Sequence, residues 1–149
     1  MSNIKNENQS FEAGEALVRG DIVYLNTDNE AVKVAGVEAT NAIGIVYAAA
    51  SEGDQVSVTI KGIVEDVHML IENTGGSSGY DAPFAYGSLL VISGKAAGTY
   101  TEGQALSVIT GTGVSVKDRT TIVGKSFVLD AGATPADTYT TGKVYIDFS

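Results

Sequence analysis

The chain has 149 residues, with 9 Lys and Arg against 18 Asp and Glu and a formal net charge of −9. That balance repels phosphate backbones unless the cations cluster, and they are scattered from Lys5 to Lys143, so nucleic acid is not an expected partner. Cys is absent, which excludes disulfides and thiolate metal sites, and no apolar run approaches the roughly 18 to 20 residues that span a bilayer.

Residues 1–14 are polar and Asn-rich, with only Ile4 and Phe11 as apolar anchors. So little apolar area does not offset the entropy of ordering them alone. A mobile N-terminal arm that orders on a partner is expected, and nothing in it resembles the hydrophobic segment of a secretion signal.

From Gly20 a β pattern runs without interruption to Val64. Gly20-Asp21-Ile22-Val23-Tyr24-Leu25 is followed by a polar turn at residues 26–30 and by Ala31-Val32-Lys33-Val34. Asn41-Ala42-Ile43-Gly44-Ile45-Val46-Tyr47 and Gln55-Val56-Ser57-Val58-Thr59-Ile60-Lys61-Gly62-Ile63-Val64 complete it. Short β-branched runs bounded by Gly, Asn, Asp and Ser predict strands joined by turns. Val56, Val58 and Ile60 alternate with Ser57, Thr59 and Lys61, which predicts one apolar and one polar face.

Residues 65–72 fit a strand through Val67, Met69 and Ile71, or a short helix through Val67, Leu70 and Ile71. A strand continuing past a bulge at Gly62 is the expected form. Asn73-Thr74-Gly75-Gly76-Ser77-Ser78-Gly79 then predicts a flexible Gly/Ser loop.

Beyond it the first pattern returns. Tyr86-Gly87-Ser88-Leu89-Leu90-Val91-Ile92 mirrors residues 19–25, and residues 121–127 mirror 41–47 with Gly124 under Gly44 and Phe127 under Tyr47. Residues 143–148 mirror 55–60. A duplication is expected, with two related β units at about 15–72 and 83–149 forming one β domain over 15–149 behind the arm.

Catalytic constellations are sparse. His68 is the only histidine and is read as a partly exposed strand residue. Gly75-Gly76-Ser77-Ser78-Gly79 matches G-x-S-x-G, but His68 precedes the serine and no helix pattern follows, so a linker is expected. Gly124-Lys125-Ser126 lacks the opening glycine of a phosphate loop and reads as a strand with an outward lysine. The acids at Asp28, Glu52, Asp54, Asp118 and Asp130 fall in turns, where carboxylates satisfy backbone donors. No enzyme activity, cofactor or metal is expected.

The segments 16–25, 28–34, 42–47 and 56–64, in that order, resemble capsid decoration proteins of tailed bacteriophages, the cement proteins of the lambda type. The resemblance covers about residues 15–64. It implies an all-β, small β-barrel or β-sandwich of β-tulip-like form. It also implies a homotrimer on the outer surface of the virion head, at three-fold and quasi-three-fold positions, holding neighbouring copies of the major capsid protein together in the expanded head. The arm then becomes the capsid-binding segment, with Ser2, Asn3, Ile4, Lys5 and Phe11 as candidate contacts by position and composition. The region from Pro83 onward departs from the shorter lambda-type pattern. Alternatives are a head-fibre base, a tail-tube subunit, or a carbohydrate-binding β-sandwich using Tyr80, Tyr86 and Tyr100.

Overall fold

A computed structural model describes residues 5–35, 41–71, 89–92, 104–108, 122–127 and 138–148. Among the described residues the fold is all-β. It comprises β1 (Glu7–Ala13), β2 (Ile22–Leu25), β3 (Glu30–Lys33), β4 (Gly44–Val46), β5 (Gln55–Ile71), β6 (Leu89–Ile92), β7 (Leu106–Val108), β8 (Ile122–Ser126) and β9 (Thr138–Asp147). No helix among them is long and apolar enough to cross a membrane.

The strand β5, 17 residues long, is the spine. Its first half pairs with β1 and β4, and its second half with β9 and β7. Strand pairing therefore closes on itself twice. One ring runs β5, β1, β3, β2, β4 and back to β5; the other runs β5, β7, β6, β8, β9 and back to β5. The parallel contacts that close them are short, Glu12↔Glu30 and Ala13↔Ala31 in the first and Met69↔Leu106 in the second. Each ring is pinched at that seam.

The two rings are copies of one unit. Ile22↔Ile45 and Val23↔Gly44 in the first are matched by Leu89↔Lys125 and Leu90↔Gly124 in the second. Tyr24↔Val32 is matched by Val91↔Ser107, and Ile45↔Thr59 by Lys125↔Tyr145. Phe11↔Val56 and the parallel Ala13↔Ala31 are matched by Val67↔Gly142 and Met69↔Leu106. Even an isolated contact repeats: the Tyr47 N–H donates to Ser57 O at 2.9 Å, and the Phe127 N–H to Lys143 O at 3.1 Å. A single monotonic set of insertions relates all of these.

This register corrects two details. The last strand of the second unit aligns with β5 two residues away from the position the sequence suggested, so Tyr145 rather than Asp147 stands where Thr59 does. The division between units also runs through β5, because its second half occupies in the second ring the place that β1 holds in the first.

The expected mobile arm of residues 1–14 is corrected as well. Residues 7–13 are β1, a strand of the molecule's own sheet. Main-chain bonding to β5 orders them, in place of the apolar burial that Ile4 and Phe11 were too few to supply.

The glycines mark where backbones approach. A side chain on Gly44 would lie 2.4 Å from Thr59 O, and one on Gly124 would lie 2.2 Å from Tyr145 O. Both are equivalent positions facing equivalent carbonyls, so the Gly repeated in the sequence is a packing requirement.

Ala13, Leu17, Val23, Ala31, Val46, Val56 and Val58 fill the first ring. A larger cluster gathers Val67, Met69, Leu90, Leu106, Val123 and Val144 of the second unit with Ile22, Val34 and Ile45 of the first. The units thus share one core. Strand β4 and the start of β2, at Ile22 and Val23, bury both faces, while Tyr24 and Leu25 are half-buried, so residues 22–25 read as a continuous apolar run. In β8 the residue equivalent to Ile45 is Lys125, which is exposed.

Candidate functional site

The candidate contacts in the arm divide. Ser2, Asn3 and Ile4 lie outside the described residues, and Lys5 is exposed just before β1. Phe11 is half-buried and packs on the core of the first ring, opposite Val56. It anchors β1 to its own sheet. Residues 7–10 are exposed and, among the described residues, pair only with β5, since β3 reaches no further than Glu12 and Ala13.

Asparagines extend the hold where main-chain pairing becomes irregular between Glu7 and Asn8. The Asn6 side chain donates to Ile63 O at 2.8 Å and accepts from the Ile63 N–H at 2.9 Å, reproducing the pair of bonds a further strand residue would make. The Thr59 hydroxyl donates to Asn8 Oδ1 at 2.8 Å. The Asn-rich composition that suggested disorder therefore includes side chains that substitute for backbone.

Beside Asn6, β5 passes from one unit to the other. The register shifts between Val64 and Val67, and Asp66 takes a left-handed conformation with φ of 58°. The irregularity expected at Gly62 is present, with φ of 135° there and the β1 register shifting between Lys61 and Thr59 beside it; the shift at residues 64–67 is a second one, and the strand continues through both to Ile71. A β-bulge of this kind turns side chains out of the regular alternation. Pressed against it is the turn Val18-Arg19-Gly20-Asp21. The Asp21 carboxylate accepts from the Val18 N–H at 2.8 Å, and Gly20, at φ of 98°, is so close that a side chain there would lie 2.3 Å from Asp66 O. Arg19 Nε donates to Asp66 Oδ2 at 2.8 Å, and its Nη2 donates to the same oxygen.

Two titratable groups are buried at this junction. Burial holds the Asp21 carboxyl above the usual carboxylate range, against the Val18 hydrogen bond and the charges of Lys33 and His68. His68, expected to be partly exposed, is buried in β5. Burial pushes its imidazole below the ordinary value, and the carboxylates of Asp21 and Asp66 oppose that shift.

An open groove of about 400 Å³ lies over the junction, lined by Asn6, Arg19, Tyr47, Ala48, Ile63, Glu65 and Lys143. Tyr47 is 47% exposed, and its counterpart in the second unit, Phe127, is 41% exposed. Lys143 Nζ lies 3.7 Å from Glu65 Oε1. Among these residues Arg19, Tyr47 and Lys143 were visible in the sequence as members of the repeated pattern. Nothing local marks Asn6 or Glu65, whose partners are far along the chain.

Other sequence candidates fall away from the groove. Gly75–Gly79, Tyr80, Tyr86, Tyr100, Asp118 and Asp130 lie outside the described residues, and Asp28, Glu52 and Asp54 are exposed in turns. Among the described residues no three His, Asp or Glu side chains are grouped to hold a metal.

Neither the known protein families nor the curated proteins include a match to this chain.

Proposed function

We propose that this chain is a capsid decoration protein. In this role it is a structural, non-enzymatic virion protein that binds the outer surface of a phage head as a homotrimer and stabilises the expanded form. Its partner is the major capsid protein.

The observation that carries this proposal is β1. Residues 7–10 of this strand are exposed and bonded along one edge only among the described residues, and residues 1–6 precede them. An exposed strand with one edge unpaired among the described residues is suited to strand addition, in which main-chain bonds supply affinity without sequence-specific pockets. Three copies on one trimer multiply such weak contacts through effective concentration. The net charge of −9 suits a surface facing away from packaged DNA. The order of segments over residues 15–64 that resembles the lambda-type proteins adds to this.

The test separates binding from folding. Removal of residues 2–5 takes away Ser2, Asn3, Ile4 and Lys5 while keeping Asn6 and β1. The truncated protein is expected to keep its urea midpoint and its trimeric mass by light scattering, and to bind heads at least about tenfold more weakly. Binding equal to that of the full chain would remove the terminus from the interface.

A further inference from the structure

We propose that the groove over the unit junction is a binding site for a neutral saccharide, with Tyr47 as the stacking platform. This goes beyond the capsid role and stands or falls separately from it.

Three features converge there. The first is concavity: about 400 Å³ falls within the roughly 300 to 1,000 Å³ usual for small-molecule sites. The second is Tyr47, an aromatic ring left half-exposed at the groove wall and free to present one apolar face. The third is the polar lining. Asn6, Arg19, Glu65 and Lys143 bring amide, guanidinium, carboxylate and ammonium groups to one small surface.

The charge state of that lining selects the ligand class. Arg19 is paired with Asp66, and Lys143 with Glu65. An anion would have to compete with a carboxylate already in place for either cation. A polyol has hydroxyls that both donate and accept, so it can bridge the outer atoms of the existing pairs without separating them. Nε and Nη2 of Arg19 both donate to Oδ2 of Asp66, so the guanidinium is held in place beside the groove. An apolar ring face above such planar polar groups matches the two-sided character of a pyranose.

The site is also rigid where it needs to be. Asn6 is held on both sides by Ile63, and the Arg19 turn is fixed by Asp21 and by close contact of Gly20 with Asp66. Among the described residues the second unit keeps an aromatic ring, Phe127, at the place of Tyr47, but Gly62, which has no side-chain amide, stands at the place of Asn6. Binding is therefore expected once per chain.

The experiment is an amide-resolved NMR titration of the full chain with glucose, galactose, N-acetylglucosamine and a short neutral oligomer of each, with sodium sulfate as the anionic arm. Shifts confined to residues around Tyr47, Ile63 and Glu65 with at least one sugar are expected. They should weaken by about tenfold or more in Tyr47→Ala and persist in Tyr47→Phe, since stacking needs the ring alone. Tyr47 is exposed, so Tyr47→Ala should fold; a matching spectrum away from the groove checks this. Absence of shifts with every sugar at tens of millimolar, a range weaker than any useful site, would overturn the proposal. So would shifts that Tyr47→Ala leaves unchanged, or sulfate displacing the sugar at the same residues.

Discussion

Gln104 does at the residue scale what no sequence pattern announced. It is 3% exposed, and its side chain accepts from the Ile22 N–H at 3.0 Å while donating to Ile22 O at 2.8 Å and Val34 O at 2.6 Å. One amide thereby ties the second unit to the mouth of the first. Each buried group left unpaired costs about 1–3 kcal/mol, so Gln104→Leu is expected to lower stability by at least about 2 kcal/mol in urea denaturation. His68 provides a pH-dependent counterpart. Its imidazole is depressed on folding, so its contribution is complete above the ordinary value of 6.5 and is lost as pH falls through the folded value. Asp21 acts with the opposite sign: its carboxyl is raised, so protonation on acidification favours the folded state. Because the two oppose each other, the His68 share is read as a difference: in thermal melts between pH 7 and pH 5 the protein should lose stability relative to His68→Gln, beginning below about 6.5. The Arg19–Asp66 pair, with both side chains at least half exposed, is worth at most about 1 kcal/mol.

Strand alternation made elements of the first unit legible, because residues 22–25, 31–34 and 55–64 carry dense β-branched runs between strong turns. The arm was not legible. Its order comes from main-chain bonds and from Asn6 and Asn8, which a composition argument counts as polar and therefore loose. Removing residues 2–11 should accordingly unpair β5 as well as shorten the terminus. The loss is expected at about 1 kcal/mol for each bond broken, with amide exchange accelerating at residues 55–59. Unchanged protection there would mean that β1 is dispensable. The groove was equally hidden, since its residues come from five separated places and meet only because β5 bulges. Gly44 and Gly124 were visible as a repeated letter, and the structure gives the cause. Gly44→Ala and Gly124→Ala should each cost about 1–3 kcal/mol by overpacking against an equivalent carbonyl.

Among the described residues, two five-stranded rings of the same pairing pattern are joined through a shared strand and a shared core. Cooperative unfolding in a single transition is expected, because the larger apolar cluster draws on both units. The copies are not equal outside that core: β4 buries its outer residue Ile45, whereas β8 exposes Lys125. Divergence of this kind frees the second unit's outer face for a different contact from the first. For the proposed function, the decisive property is recognition of a surface created by capsid maturation. Co-sedimentation with expanded and unexpanded heads of the phage that carries this protein measures it directly. Sedimentation with expanded heads alone, by a protein whose free mass by light scattering is that of a trimer, is the predicted result. A monomer that stays in the supernatant with both would contradict the decoration role.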